Sequence, residues 1–194
     1  RVFLKPGLNA VVSQHAFVVY ALVTQSLGAT LKEVPCVDYQ QDLQATLAMI
    51  DDQTRIVFIA NPNNPTGTWV RRDALETFLK SVPTTTLVVL DEAYVEYVDD
   101  PDYPNGLTLL DQYPNLVVTR TFSKAYGLAA LRLGYAVSHP DVADLMNRIR
   151  QPFNVNNLAQ IAAIASLDDD DFIFKSKRIN NLGMKQITTA FSGL

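Results

Sequence analysis

Short apolar runs that each end in a cluster of polar turn residues constrain this chain more than any other feature. "RIVFIA" (55–60) runs into "NPNNPTG", "TTTLVVL" (84–90) into "DEAY", and "NLVVTR" (115–120) into "TFSK". Runs of this length without alternation read as strands buried on both faces. "NAVVSQ" (9–14), "ATLKEVP" (29–35) and "LGYAVS" (133–138) are further strand candidates. Between them lie helical segments: "AFVVYALVTQSLG" (16–28), stopped by Gly28, "DLQATLAMI" (42–50), and about 71–80. Helices are also expected at 141–150 and 157–167, and a long one beyond Asp168–Asp171 that reaches past Ala190. Strands alternating with helices predict an α/β fold, three layers deep, with a mostly parallel sheet. No internal repeat, low-complexity linker or domain boundary interrupts residues 1–194.

Composition excludes several classes. The net charge of -4 and the pI near 5.1 oppose a nucleic-acid footprint. Cys36 stands alone, so no disulfide framework forms within the chain. No apolar run approaches a membrane span, and the first residues lack a signal-peptide pattern. The expected setting is soluble, reducing and cytoplasmic. The chain begins at Arg1 rather than methionine and is read as a piece of a larger protein.

Parallel α/β sheets carry their ligand sites outside the carboxyl ends of the strands. If the three strands quoted first are neighbours, Asn64, Asp91, Tyr94, Ser123 and Lys124 converge on one cleft. Each residue also has a plainer reading. A lysine is ordinarily solvated; Asp91 and Glu92 could cap a helix; Arg132 could be a structural ion-pair partner. Asn61 and Asn63 suit turns. Asp168–Asp171 suit a helix N-terminus rather than a metal site. Trp69, Cys36 and the stripe Val18, Leu22 and Val23 read as packing residues. His15 and His139 have no metal-ligand spacing, and no metal is expected.

The motifs "NNPTG", "DEAY" and "SKAYGLAALRLG" resemble, in order and separation, those of the fold-type I, pyridoxal-phosphate-dependent aminotransferases. The wider run from "VVSQHAFVVYALVTQSLGA" to "RTFSKAYGLAALRLGYA" is similar to the histidinol-phosphate aminotransferase family over most of the chain. The resemblance implies the large cofactor-binding domain of such an enzyme. Residues from about 170 to 194 would form a helix leading toward a small domain that is mostly absent. It implies that Lys124 bonds covalently to the aldehyde of pyridoxal 5'-phosphate and then carries the proton. Asp91 would pair with the pyridine nitrogen and strengthen the ring as an electron sink. Asn64 and Tyr94 match positions that hydrogen-bond the phenolic oxygen. Ser123, Arg132 and Thr121 match the phosphate anchors, where a planar guanidinium fork meets two oxygens. Phe17 falls where the family stacks an aromatic on the ring, commonly a tyrosine.

The implied reaction is amino transfer between L-histidinol phosphate and 2-oxoglutarate, in histidine biosynthesis, by a homodimer. The arginine that grips the substrate carboxylate in this family would lie outside the chain. An aromatic aminotransferase or a threonine-phosphate decarboxylase would share every motif quoted. So would the aminotransferase-like sensor domain of a transcription regulator, which predicts a basic helix-turn-helix segment upstream. A non-catalytic scaffold is the remaining alternative, opposed by the intact Lys124, Asp91 and Arg132.

Overall fold

The computed structural model describes residues 1–193; Leu194, the end of the expected 170–194 segment, lies outside the described residues. Six strands form one sheet: β1 (Asn9–Ser13), β2 (Thr30–Val34), β3 (Thr54–Ala60), β4 (Leu87–Asp91), β5 (Leu116–Thr121) and β6 (Gly134–Ser138). Their order is β2-β1-β3-β4-β5-β6, parallel throughout except that β6 runs antiparallel to β5. The helices are α1 (Val19–Ser26), α2 (Leu43–Ala48), α3 (Arg72–Ser81), α4 (Pro140–Arg148), α5 (Asn157–Leu167) and α6 (Asp170–Phe191). The mostly parallel α/β architecture expected from the alternating pattern is the one observed.

Alternation along β3 divides the interior into two faces. Val57 and Ile59 join Val11, Val88, Leu90, Leu116 and Val118 in the larger cluster, packed against Leu43 of α2 and Leu75, Phe78 and Leu79 of α3. Ile56 and Ala60 belong to the opposite face, with Ala10 and Ala29 in one cluster and Val12 and Tyr20 in another. These strands are therefore buried on both sides, which is why their sequences are continuous apolar runs rather than alternating ones.

Local chemistry sets the helix ends. Asp42, Asn156 and Asp169 cap α2, α5 and α6, accepting from the backbone N–H groups of Ala45, Ala159 and Phe172 at 2.9, 2.8 and 3.0 Å. The acidic run is thus mostly a helix start, with Asp169 as the cap and Asp170 and Asp171 in the first turn of α6, while Asp168 closes the end of α5. Pro140 opens α4, where its missing N–H costs no hydrogen bond.

Three expectations need adjustment. β4 begins at Leu87, because Pro83 to Thr86 turn back on themselves through a Thr86 N–H to Pro83 C=O bond. The first helix starts at Val19, not at Ala16, and ends before Gly28, whose φ of +68° suits glycine. The Val18, Leu22 and Val23 stripe is not core: these residues are exposed. α1 rests on the sheet through Tyr20 and Thr24, one turn apart, so Val18 and Leu22 fall on the opposite side and Val23 on the flank.

Beneath the end of β4 the fully buried Glu92 accepts from Arg120 Nε and Nη2 at 2.9 and 2.7 Å and from the Gly106 N–H at 2.7 Å. Gly106 is there because a Cβ would stand 2.6 Å from Leu90 Cδ2 and 2.9 Å from both Glu92 Oε1 and Val118 Cγ2. Gly106→Ala should therefore destabilise the fold by about 1–3 kcal/mol, the range for overpacking a filled core. Urea unfolding of the variant beside the native chain checks this.

Candidate active site

The order of strands in sequence reverses between β1 and β3: the chain leaves β1 toward β2 on one side and continues from β3 toward β6 on the other. Crevices open at the carboxyl ends of strands at such a switch point. Here a cleft of about 70 Å³ lies between Phe17, Tyr20, Ala60, Pro62, Asn64, Asp91, Ala93, Tyr94 and Lys124. A larger, open recess of about 580 Å³ adjoins it, sharing Pro62, Asn64 and Tyr94 and reaching Asn180 and Met184 of α6.

Register explains the convergence. Ala60 pairs with Asp91 and Asp91 with Thr119, so β3, β4 and β5 end close together. Asp91, the last residue of β4, turns its carboxylate into the cleft, where Oδ1 accepts from the Ala93 N–H at 3.1 Å. Asn64 Nδ2 donates to Tyr94 Oη at 3.1 Å, linking the turn after β3 to the turn after β4. Lys124 Nζ lies 5.4 Å from the centre of the Tyr94 ring.

That turn after β3 is held by side chains that do not line the cleft. The Asn61 side chain accepts from the Val70 N–H at 2.7 Å and is completely buried. Asn63 Nδ2 donates to His15 C=O at 2.6 Å and to Thr66 Oγ1 at 2.9 Å. Both asparagines are turn formers, as their setting suggested, and Asn63 also ties the β3 turn to the loop carrying Phe17.

Thr121, Ser123 and Arg132 stand outside the cleft lining, on the loop that carries Lys124. The antiparallel pairing of β5 and β6 closes that loop: Thr121 pairs with Gly134, and the Phe122 N–H donates to Leu133 C=O at 3.2 Å. Arg132 is thereby returned to the end of β5 eight residues after Lys124. The Ser123 N–H donates to Thr121 Oγ1 at 3.1 Å. Arg132 has φ of +57°, and its guanidinium donates to Ala129 C=O at 2.8 Å. Lys124 and Arg132 are exposed, so the two cations sit at the rim of this layer rather than inside it. Helix α6 supports the loop from the other side, with Ser176 Oγ donating to Ala125 C=O at 3.1 Å and Phe172 against Gly127.

The donor set suits an anionic, aromatic aldehyde. The cleft provides one carboxylate, an amine, an amide–phenol pair and aromatic walls, and the neighbouring loop end provides hydroxyls and a guanidinium. Among the described residues, no cluster of His, Cys, Asp and Glu could hold a metal ion.

The family model described as aminotransferase class I and II matches residues 1–188. The chain belongs to that family. Histidinol-phosphate aminotransferase 2 of Pseudomonas fluorescens is 58% identical over 194 residues, covering 100% of this chain and 52% of the relative. A Pseudomonas aeruginosa relative of the same name is also 58% identical, over 100% of this chain and 53% of its own length. The crystal structure of a Sinorhizobium meliloti histidinol-phosphate aminotransferase in complex with pyridoxal-5'-phosphate superposes with a TM-score of 0.86 at 36% identity, covering 91% of this chain and 48% of that one. The chain spans about half the length of the relatives it matches. Among the helices of the described residues, none is long and apolar enough to cross a membrane.

Sequence reasoning missed two residues here. Tyr20 lines the cleft and donates to Asp91 Oδ2 at 2.5 Å; only its spacing of three from Phe17 on a helical turn hinted at a shared face. Glu96, two residues after Tyr94 in the chain and outside the cleft lining, has Oε2 buried and unpartnered. Burial raises its pKa above the ordinary glutamate value, against the opposing pull of Arg120. An acid whose pKa is raised on folding stabilises the fold at low pH and loses that contribution as pH rises through the folded value. Glu96→Gln should therefore flatten the fall in stability between the ordinary glutamate range and neutrality, as read by urea unfolding across those pH values.

Proposed function

We propose that this chain is the large, cofactor-binding domain of a pyridoxal-phosphate-dependent aminotransferase of the histidinol-phosphate type. The observation that carries the reading is the meeting of Lys124, Asp91, Asn64 and Tyr94 in one cleft at the sheet's switch point, in a member of this family. When bound, pyridoxal 5'-phosphate supplies an electron sink that acidifies the substrate carbon.

The chain's own residues then divide the work. The Asp91 carboxylate holds the ring nitrogen in its protonated form. Asn64 and Tyr94, already joined to each other, hydrogen-bond the phenolic oxygen. Thr121, Ser123 and Arg132 hold the phosphate, with two hydroxyls and a guanidinium that stays charged. Phe17, whose ring is partly exposed at the cleft, stacks on the cofactor ring but offers no hydrogen bond. Lys124, whose amine lies beside Tyr94 at the cleft, would hold the cofactor through its aldehyde carbon with loss of water, and its free amine would serve as the base that moves the substrate proton.

The substrates proposed are L-histidinol phosphate as amino donor and 2-oxoglutarate as acceptor, giving imidazole acetol phosphate and glutamate, in the cytoplasm. The 58% identity to relatives of that name supports this choice over the other aminotransferase or decarboxylase readings. We further propose a homodimer, supported by the apolar Val18, Leu22 and Val23 exposed beside the cleft. The helix α6 would lead toward a second, smaller domain.

In the full-length protein, added pyridoxal phosphate should give a visible absorption band that borohydride fixes on Lys124. Lys124→Ala should lack the band and lose amino transfer from histidinol phosphate to 2-oxoglutarate by at least about 1,000-fold, in keeping with the loss of a group that is both nucleophile and base. An intact protein without the band would defeat the reading. Carbon dioxide release without a keto-acid acceptor would instead favour the decarboxylase.

A further inference from the structure

Asp91 is gripped from behind. Its Oδ1 accepts from the Ala93 N–H at 3.1 Å and its Oδ2 from the Tyr20 hydroxyl at 2.5 Å, so each oxygen has one donor and the carboxylate plane is set. Tyr20 can do this because its ring cannot move. It is 7% exposed, stacked on Phe58 with centroids 4.7 Å apart and planes 9° from parallel, and met edge-on by Phe17 at 5.9 Å. The phenol arrives from α1 and the carboxylate from the end of β4, 71 positions apart in sequence. Burial, and then the adjacent Asp91 charge, hold the phenol far above its ordinary range, so it remains a donor at all relevant pH.

We propose that Tyr20 is a positioning residue that orients Asp91 and moderates the charge this carboxylate presents to the cleft. The inference rests on the cofactor reading above. A donor on Oδ2 draws electron density from the carboxylate and makes it a weaker base toward whatever it meets on its free side. If Asp91 faces a protonated ring nitrogen, a weaker base leaves the proton on nitrogen. Removing the hydroxyl strengthens the base and also frees the carboxylate to rotate. Both effects take proton character away from the ring.

A buried tyrosine needs a partner whatever its function, so the test must separate positioning from mere satisfaction. Tyr20→Phe keeps the ring on Phe58 and removes only the oxygen. In the full-length holoenzyme loaded with 15N-labelled pyridoxal phosphate, the ring-nitrogen resonance of Tyr20→Phe should move toward that of neutral pyridine. Its cofactor dissociation constant should rise about tenfold, the lower end of what losing a partner behind a ligating group costs. 3-Fluorotyrosine at position 20 keeps the hydroxyl and makes it a stronger donor, so the resonance should move the other way; it also serves if the phenylalanine variant does not fold. In cofactor-free protein, the short phenol–carboxylate bond should give a far-downfield proton signal that Tyr20→Phe and Asp91→Asn both lack.

No such signal would overturn the proposal whatever the cofactor does. A ring-nitrogen resonance unchanged in both variants would reduce Tyr20 to a packing residue and overturn it as well. Failure of the unaltered protein to bind the cofactor would defeat both readings together, and is recognised because the native residue fails alongside the variants.

Discussion

The buried carboxylate of Glu92 is the contact on which the rest of this architecture leans. It is completely enclosed, and Arg120 from the end of β5 and the Gly106 backbone converge on it. A charge in that setting is tolerable only while its partners are in place, because an uncompensated buried ion costs several kcal/mol. The pair therefore ties the end of β4 to the end of β5 from below. Strand alternation does the rest: with Glu92 pointing down into the pair, Asp91 points the other way, into the cleft. One residue supplies the scaffold's lock and its neighbour the candidate chemistry.

The same economy appears in the loops. A parallel sheet leaves its strand ends side by side, and the switch between β1 and β3 keeps any crossover from covering them. Asn63 stitches the β1 loop to the β3 turn, Asn64 meets Tyr94, and α6 underpins the β5 loop. The antiparallel pairing within the sheet, β5 with β6, folds the segment carrying Lys124 back so that Arg132 returns to Thr121 and Ser123. Backbone pairings thus bring distant side chains to one place, and direct bonds such as Asn64 to Tyr94 and Tyr20 to Asp91 then fix them there.

Much of this could be read from the residues. Continuous apolar runs forced two-sided burial, and polar clusters at their ends marked the cleft. The motifs from Asn64 to Arg132 are local, so their order and spacing survive in the linear text. What escaped was pairwise and distant. Tyr20 sits inside "VVYAL", where a tyrosine looks like one more apolar residue, and its partner is 71 positions away. Glu92 was visible beside Asp91, but nothing in "DEAY" announces that its counter-ion is Arg120. The stripe of Val18, Leu22 and Val23 misled for a simpler reason: in sequence, an apolar face reads the same whether the chain's own core covers it or leaves it exposed.

Arg132 adopts a left-handed backbone, φ +57°, where side chains bearing a Cβ are uncomfortable and glycine or asparagine is at ease. Neither of those residues carries a charge. A search for sturdier versions of this protein that scored folding alone would thus be drawn to replace Arg132, and would discard the cation that the proposed anion needs. If the proposed role holds, selection for function and selection for robustness would pull this position in opposite directions.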